Sequence, residues 1–228
     1  MKYYITILFF IPVILFSQCD TKKKKDIIRC KNITEKTAKY IYQFQMTDDS
    51  LYIDSALTYT NKALKKCNED KDKILFSFRK IDILSKKHDY LSAIRFIKSV
   101  NYSFVSDLPY YNDFLSNRFQ AMEYHYKKKY IKRDSCLMII NKTLENFMKQ
   151  NKEKIDSLVA LKNINEILNN SLHLTYIQYF YTRSVLFGYK KTKSELDSCQ
   201  KKINGNKKFY ELIDYQCKEN DFLDFNLF

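Results

Sequence analysis

The stretch Asp54–Leu64, DSALTYTNKAL, decides the fold because the chain repeats it. Asp134–Leu144 reads DSCLMIINKTL and is identical at six of the eleven positions. Asp89–Val100, DYLSAIRFIKSV, is a third and weaker copy. Ala56, Ala93 and Cys136 take the same place in the three, and Ala63, Val100 and Thr143 follow seven positions on. Residues seven apart share one face of a helix, and small ones let a neighbouring helix come close. Copies spaced by 37 and 43 residues predict an all-α protein, with antiparallel helical hairpins stacked as a short α-solenoid.

Composition points the same way. The 228 residues contain two glycines, Gly188 and Gly205, and two prolines, Pro12 and Pro109. An all-β fold needs many tight turns and could not be built with so few. Long helices joined by polar loops can. Apolar spacing places helices at Asn32–Met46, Leu51–Lys66, Asp72–Lys86, Tyr90–Val100, Tyr110–Lys128 and Arg133–Lys149, giving hairpins over 32–150. Beyond Asn151 the echo fades. Helices over Lys154–Leu168, Leu172–Tyr189, Thr192–Ile203 and Lys207–Lys218 form a C-terminal helical cap over 151–218. Leu172–Tyr189 is the most apolar of these and is expected to be the most buried. Residues 219–228, ending DFLDFNLF, read as an extended tail capping the last helices, with a docking peptide as the alternative.

Residues 1–18 carry an address. Lys2 supplies a positive start, Ile5–Phe16 is apolar apart from Thr6 and Pro12, and small polar residues precede Cys19. Such a run is short of the roughly 20 residues a membrane span needs and reads as a secretory signal. The stretch LFSQC, Leu15–Cys19, resembles the signal of bacterial lipoproteins, in which the cysteine is lipidated and becomes the mature N-terminus. Gln18 departs from the Gly, Ala or Ser usual before that cysteine. The resemblance implies an exported protein, lipid-anchored through Cys19 at the bacterial outer membrane or in the periplasm. Cleavage without lipidation, giving plain secretion, and a retained anchor helix are the alternatives. Residues 19–31, with Lys22–Lys25, are expected to form a polar tether whose lysines would favour anionic lipid.

The segment KKHDYLSAIRFIKSV, Lys86–Val100, resembles the second half of a tetratricopeptide repeat. There a turn leads into Asp-Tyr, then Ala, an aromatic or aliphatic residue and a second Ala. Asp89, Tyr90, Ala93, Ile97 and Val100 hold those places, while His88 replaces the usual turn glycine. A turn one residue looser is expected to absorb that departure. The resemblance covers roughly Thr37–Gln150. It implies that the first helix of each unit lines a concave groove for an extended peptide or a partner helix. Phe78, Asp82 and Ser85 would face the groove from the second unit, and Asn117, Gln120, Tyr124 and Lys127 from the third.

The formal net charge is +14. Such a balance suits nucleic acid, but export would put nucleic acid out of reach, and the lysines are scattered through every loop. With Cys19 set aside, five cysteines remain, and an odd count cannot pair fully within one chain. Cys136 and Cys199 read as buried thiols. Cys199 and Cys217 lie at unequal distances from Gly205, about 9 Å out of register at 1.5 Å per residue, and are not expected to bridge. His88, His125 and His173 form no ligand pair, no Cys/His pair has zinc spacing, and two glycines cannot make a phosphate-cradling loop. No catalytic residue, metal or cofactor is expected. The expected role is an envelope-anchored scaffold that binds a protein or peptide of the cell envelope through its groove. A binding protein for an anionic envelope glycan is one alternative, and an enzyme of unrecognised type is the other.

Mass spectrometry of the mature N-terminus should find a diacyl or triacyl Cys19. An unmodified N-terminus at Gln18 or Cys19 would end the lipoprotein reading.

Overall fold

A computed structural model describes residues 21–67 and 69–219; the signal, Cys19 and the tail from position 220 lie outside the described residues. Eleven helices follow one another among the described residues: α1 (Thr21–Thr47), α2 (Ser50–Lys66), α3 (Asp70–Lys86), α4 (Tyr90–Ser99), α5 (Tyr111–Tyr126), α6 (Tyr130–Gln150), α7 (Lys152–Val159), α8 (Ile164–Leu168), α9 (Leu172–Phe187), α10 (Tyr189–Ile203) and α11 (Lys207–Glu219). Each of the first six packs against the next. The fold is a short α-solenoid of antiparallel hairpins with a helical cap. None of the described helices is long and apolar enough to cross a membrane.

Three hairpins, α1/α2, α3/α4 and α5/α6, are closed by the same device. Asp48, His88 and Lys128 adopt left-handed backbone, with φ of 55°, 55° and 56°. Their spacing is 40 residues each time. At the second turn the His88 amide donates to the Ser85 carbonyl at 2.8 Å, and the Asp89 amide to the Leu84 carbonyl at 2.9 Å. At the third, Lys128 donates to His125 at 2.8 Å and Lys129 to Tyr124 at 2.7 Å. These paired bonds satisfy the carbonyls that a helix end leaves open. The turn at His88 is therefore no looser than a glycine turn; the histidine itself takes the left-handed conformation. That costs about 1–2 kcal/mol, and the stacking of its ring on Tyr126, centroids 5.1 Å apart, offsets part of it.

The turns also correct the alignment of the repeated stretches. Counted from the left-handed residue, Asp54 and Asp134 are equivalent, two repeats of 40 apart, but Asp89 is equivalent to Asp49. Both of these are N-caps: the Asp49 carboxylate accepts from the Leu51 amide and that of Asp89 from the Ser92 amide. Ala93 thus stands opposite Ile53 rather than Ala56. The small residues still make the close contacts expected of them. Ala56, Ala63 and Ala93 are wholly buried, whereas Cys136, Val100 and Thr143 are half-buried.

Two further expectations change. The polar tether expected to run to residue 31 is helical from Thr21, because neither glycine nor proline interrupts the chain between there and Met46. The helix expected over Lys154–Leu168 is two, α7 and α8. The Asn206 amide donates to the Val159 carbonyl at 2.8 Å, and its side-chain nitrogen donates to the carbonyls of Leu161 and Lys162 at 2.7 and 2.8 Å. A residue some 45 positions away so terminates α7. Asn163 then caps α8 by accepting from Asn165 at 3.0 Å.

The main core lies between α3 and α6, where Ile81, Tyr90, Leu115, Phe119, Met122 and Leu144 pack with Phe104 and Leu108 of the 100–110 connection. A second core gathers on α9, as expected of that helix: Tyr176, Ile177 and Phe180 meet Ile155, Leu196, Phe209 and Ile213. Packing of α9 against α6 joins the cap to the hairpins. Gly205 is required here by space. A Cβ on it would sit 2.3 Å from the Tyr210 ring, which the Tyr176 hydroxyl holds by a 2.7 Å hydrogen bond.

Ala56→Leu and Ala93→Leu should each overpack a helix interface and cost about 1–3 kcal/mol. Thermal melts that leave both variants at the parent Tm would contradict the packing described.

Candidate interaction surface

The residues expected to line a groove lie on the leading helices α3 and α5. Asn117, Gln120, Tyr124 and Lys127 recur at helical spacing along α5 and its C-cap, and none of the four is buried. The Asn117 side chain donates to the Asp113 carbonyl at 2.9 Å. Lys127 pairs with the buried carboxylate of Glu123. The Lys132 ammonium lies over the Tyr124 ring, 5.8 Å from its centroid.

The α3 residues are less open. Asp82 is half-buried and paired with Lys86. Ser85 is buried. Phe78 is half-buried, its ring edge-on to Phe104 at 5.0 Å and to Tyr111 at 6.4 Å. The 100–110 connection folds over this part of α3, fixed by Asn112, which accepts from the Phe104 amide at 3.0 Å and donates to the Tyr102 carbonyl at 2.8 Å. Ser85 is the buried member of the set; Phe78, Asp82, Asn117, Gln120 and Tyr124 are half-buried, and Lys127 is exposed.

One feature escaped the spacing argument. Cys30 of α1 and Cys67 at the C-cap of α2 form a disulfide, with Cα atoms 5.9 Å apart and a sequence separation of 37. It sits in a small core of its own with Ile33, Ala63 and Phe76. The signal was the helix arithmetic itself: with α1 and α2 antiparallel about Asp48, positions 30 and 67 are nearly equidistant from the turn. Asp72 approaches the two sulfurs, but with the sulfurs joined to each other the group is a disulfide beside a carboxylate. Burial, then the neighbouring Glu69, pushes the Asp72 carboxyl up.

Cys136, Cys199 and Cys217 are free thiols, so the bridge doubted between Cys199 and Cys217 is not made. Burial raises all three, Cys217 to about 12. Thiols held protonated in this way are poor nucleophiles. The most strongly shifted tyrosines, Tyr110, Tyr111, Tyr176 and Tyr210, are likewise raised chiefly by burial. Tyr110 holds the α9 helix through Thr175, its hydroxyl 2.5 Å from the threonine oxygen. These are groups that hold a core together. His173 is lowered by burial, against the opposing pull of its hydrogen bond to the Asn170 carbonyl.

In comparisons with protein-family models, with curated proteins and with solved structures, the chain finds no match.

Changing both Cys30 and Cys67 to Ala should cost about 3–4 kcal/mol, the loop-closure entropy expected for a bridge of this span. Denaturant unfolding of the oxidised parent and the double variant measures it. Equal midpoints would show that the bridge adds nothing.

Proposed function

We propose that the protein is an exported, lipid-anchored scaffold of tetratricopeptide-like hairpins that binds a protein or peptide of the cell envelope along α3 and α5. The carrying observation is the 40-residue recurrence of the hairpin turns at Asp48, His88 and Lys128. A repeat of constant length sets leading helices side by side, and such arrays present an extended surface rather than a closed pocket. The accessible side chains on it, Asp82, Asn117, Gln120 and Tyr124 with Lys127, are the mixed polar and aromatic kind that grip a peptide backbone.

The Cys30–Cys67 bridge supports export, since disulfides of this kind persist in oxidising compartments. Lipid on Cys19 rests on the signal alone.

The test is crosslinking pull-down from intact envelopes with Asp82→Ala plus Tyr124→Ala. Both side chains lie outside the core, so the helical circular-dichroism signal should stay within a few per cent of the parent. Capture of the partner should fall by at least tenfold, the effect of losing one well-placed contact of about 1.4 kcal/mol or more. Undiminished capture by a folded double variant would remove this surface from consideration.

A further inference from the structure

The 40-residue register exposes a second recurrence, on a different edge of the solenoid. Three residues past each left-handed turn stand Leu51, Leu91 and Ile131, exposed to 70%, 44% and 85%. Each opens the second helix of its hairpin, where the packing pattern asks for nothing apolar. The second and third tips adjoin, as the stacked rings of His88 and Tyr126 show. The third tip carries the strongest version. Tyr126, Tyr130 and Ile131 are all exposed, and Lys127, Lys128, Lys129 and Lys132 stand among them, also exposed.

We propose that the tips of the second and third hairpins dock on an anionic lipid surface, with Ile131, Tyr126 and Tyr130 entering the headgroup layer and the lysines binding lipid phosphates. Three features select this occupant. The apolar groups protrude from turn tips, so they can enter a fluid interface without a complementary groove. Tyrosine suits the boundary between headgroups and acyl chains, and lysine keeps its charge in the phosphate layer while its stem lies in the apolar one. Lys127 is paired with Glu123, and Lys128, Lys129 and Lys132 supply the attraction that an anionic bilayer rewards, on the order of 1 kcal/mol each near the surface. A polysaccharide offers no apolar phase to Ile131, and an acidic protein would need pockets for several separate protrusions. The first tip differs: Asp48 and Asp49 flank Leu51, so it faces the same edge without favouring anionic lipid. This surface meets the α3/α5 one at Lys127, the C-cap of α5, which the vesicle variants leave unchanged, and its test does not depend on a protein partner.

The experiment uses the chain from Gln18 onward with Cys19→Ser, which retains every described element and carries no lipid. Sedimentation with vesicles of phosphatidylcholine containing 30% phosphatidylglycerol is compared with pure phosphatidylcholine. Binding should require the anionic lipid. Lys128→Ser with Lys129→Ser should lower partitioning about 25-fold, the ratio given by two charges at that energy. Ile131→Ser should lower it about tenfold, the loss of a partly buried aliphatic side chain. Lys22–Lys25 changed to Ser should leave most of the binding. The chain has no tryptophan, so Ile131→Trp supplies a single reporter, whose emission should shift to the blue with anionic vesicles while Leu161→Trp shows no shift. Partitioning unaffected by Ile131→Ser, no shift from Ile131→Trp in sedimented protein, or loss of binding only in the Lys22–Lys25 variant would each overturn the proposal. So would binding to an anionic polysaccharide with none to vesicles.

Discussion

Everything in the solenoid is referred to three residues held in left-handed backbone. Asp48, His88 and Lys128 end a leading helix and aim the chain back along it. None is glycine, so each carries a conformational cost that the rest of the hairpin must outweigh. The compensation is visible at His88, whose ring stacks on Tyr126 and whose Nδ1 lies 2.8 Å from the Tyr90 hydroxyl. Tyr90 in turn is wholly buried against Phe119 of the next hairpin. The turn and the interface between repeats are thus one structure. A cost taken locally is returned by packing between units.

The ends of the array need other support, because a terminal unit has a neighbour on one side only. At the N-terminal end α1 is mostly polar, and the apolar core it shares with α2 is small. The disulfide takes the place of area there, tying α1 to the end of α2. At the other end the solution is burial. Helix α9 is buried on several sides by α6, α7, α10 and α11, and two of its polar side chains are met within that packing: Gln178 accepts from Arg118 at 3.0 Å, and Arg183 makes two hydrogen bonds to Glu195 at 2.7 and 2.8 Å. The Arg183–Glu195 pair is half-buried, and the charge on the buried Arg118 is met by the neutral Gln178 amide.

The long first helix also sets a geometry. Its 27 residues span about 40 Å at 1.5 Å per residue. The chain enters at Thr21, at the end of α1 remote from the hairpin tips. Of the residues proposed to bind a partner, Asp82, Asn117 and Gln120 lie along α3 and α5, whereas Tyr124 and Lys127 stand in the last turn and at the C-cap of α5, beside the third tip.

The sequence by itself determined the helical class, most helix positions, the hairpin order and the buried character of α9. These follow from local quantities: the 3.6-residue recurrence of apolar side chains, the scarcity of glycine and proline, and capping residues such as Asp89. The shared α5 face of Asn117, Gln120 and Tyr124, which we propose as part of a binding surface, was legible too, from spacing alone. Only the tertiary structure decided which distant residues meet. It set the repeat at 40 residues rather than at 37 and 43, since the turns, and not the small residues, define equivalence. It joined Cys30 to Cys67, ended α7 with the side chain of Asn206, and covered Phe78 with Phe104. Local periodicity states which face of a helix is apolar. Whether that face is closed by a neighbour, by a loop or, as at Ile131, by nothing among the described residues is settled by contacts between segments far apart in sequence.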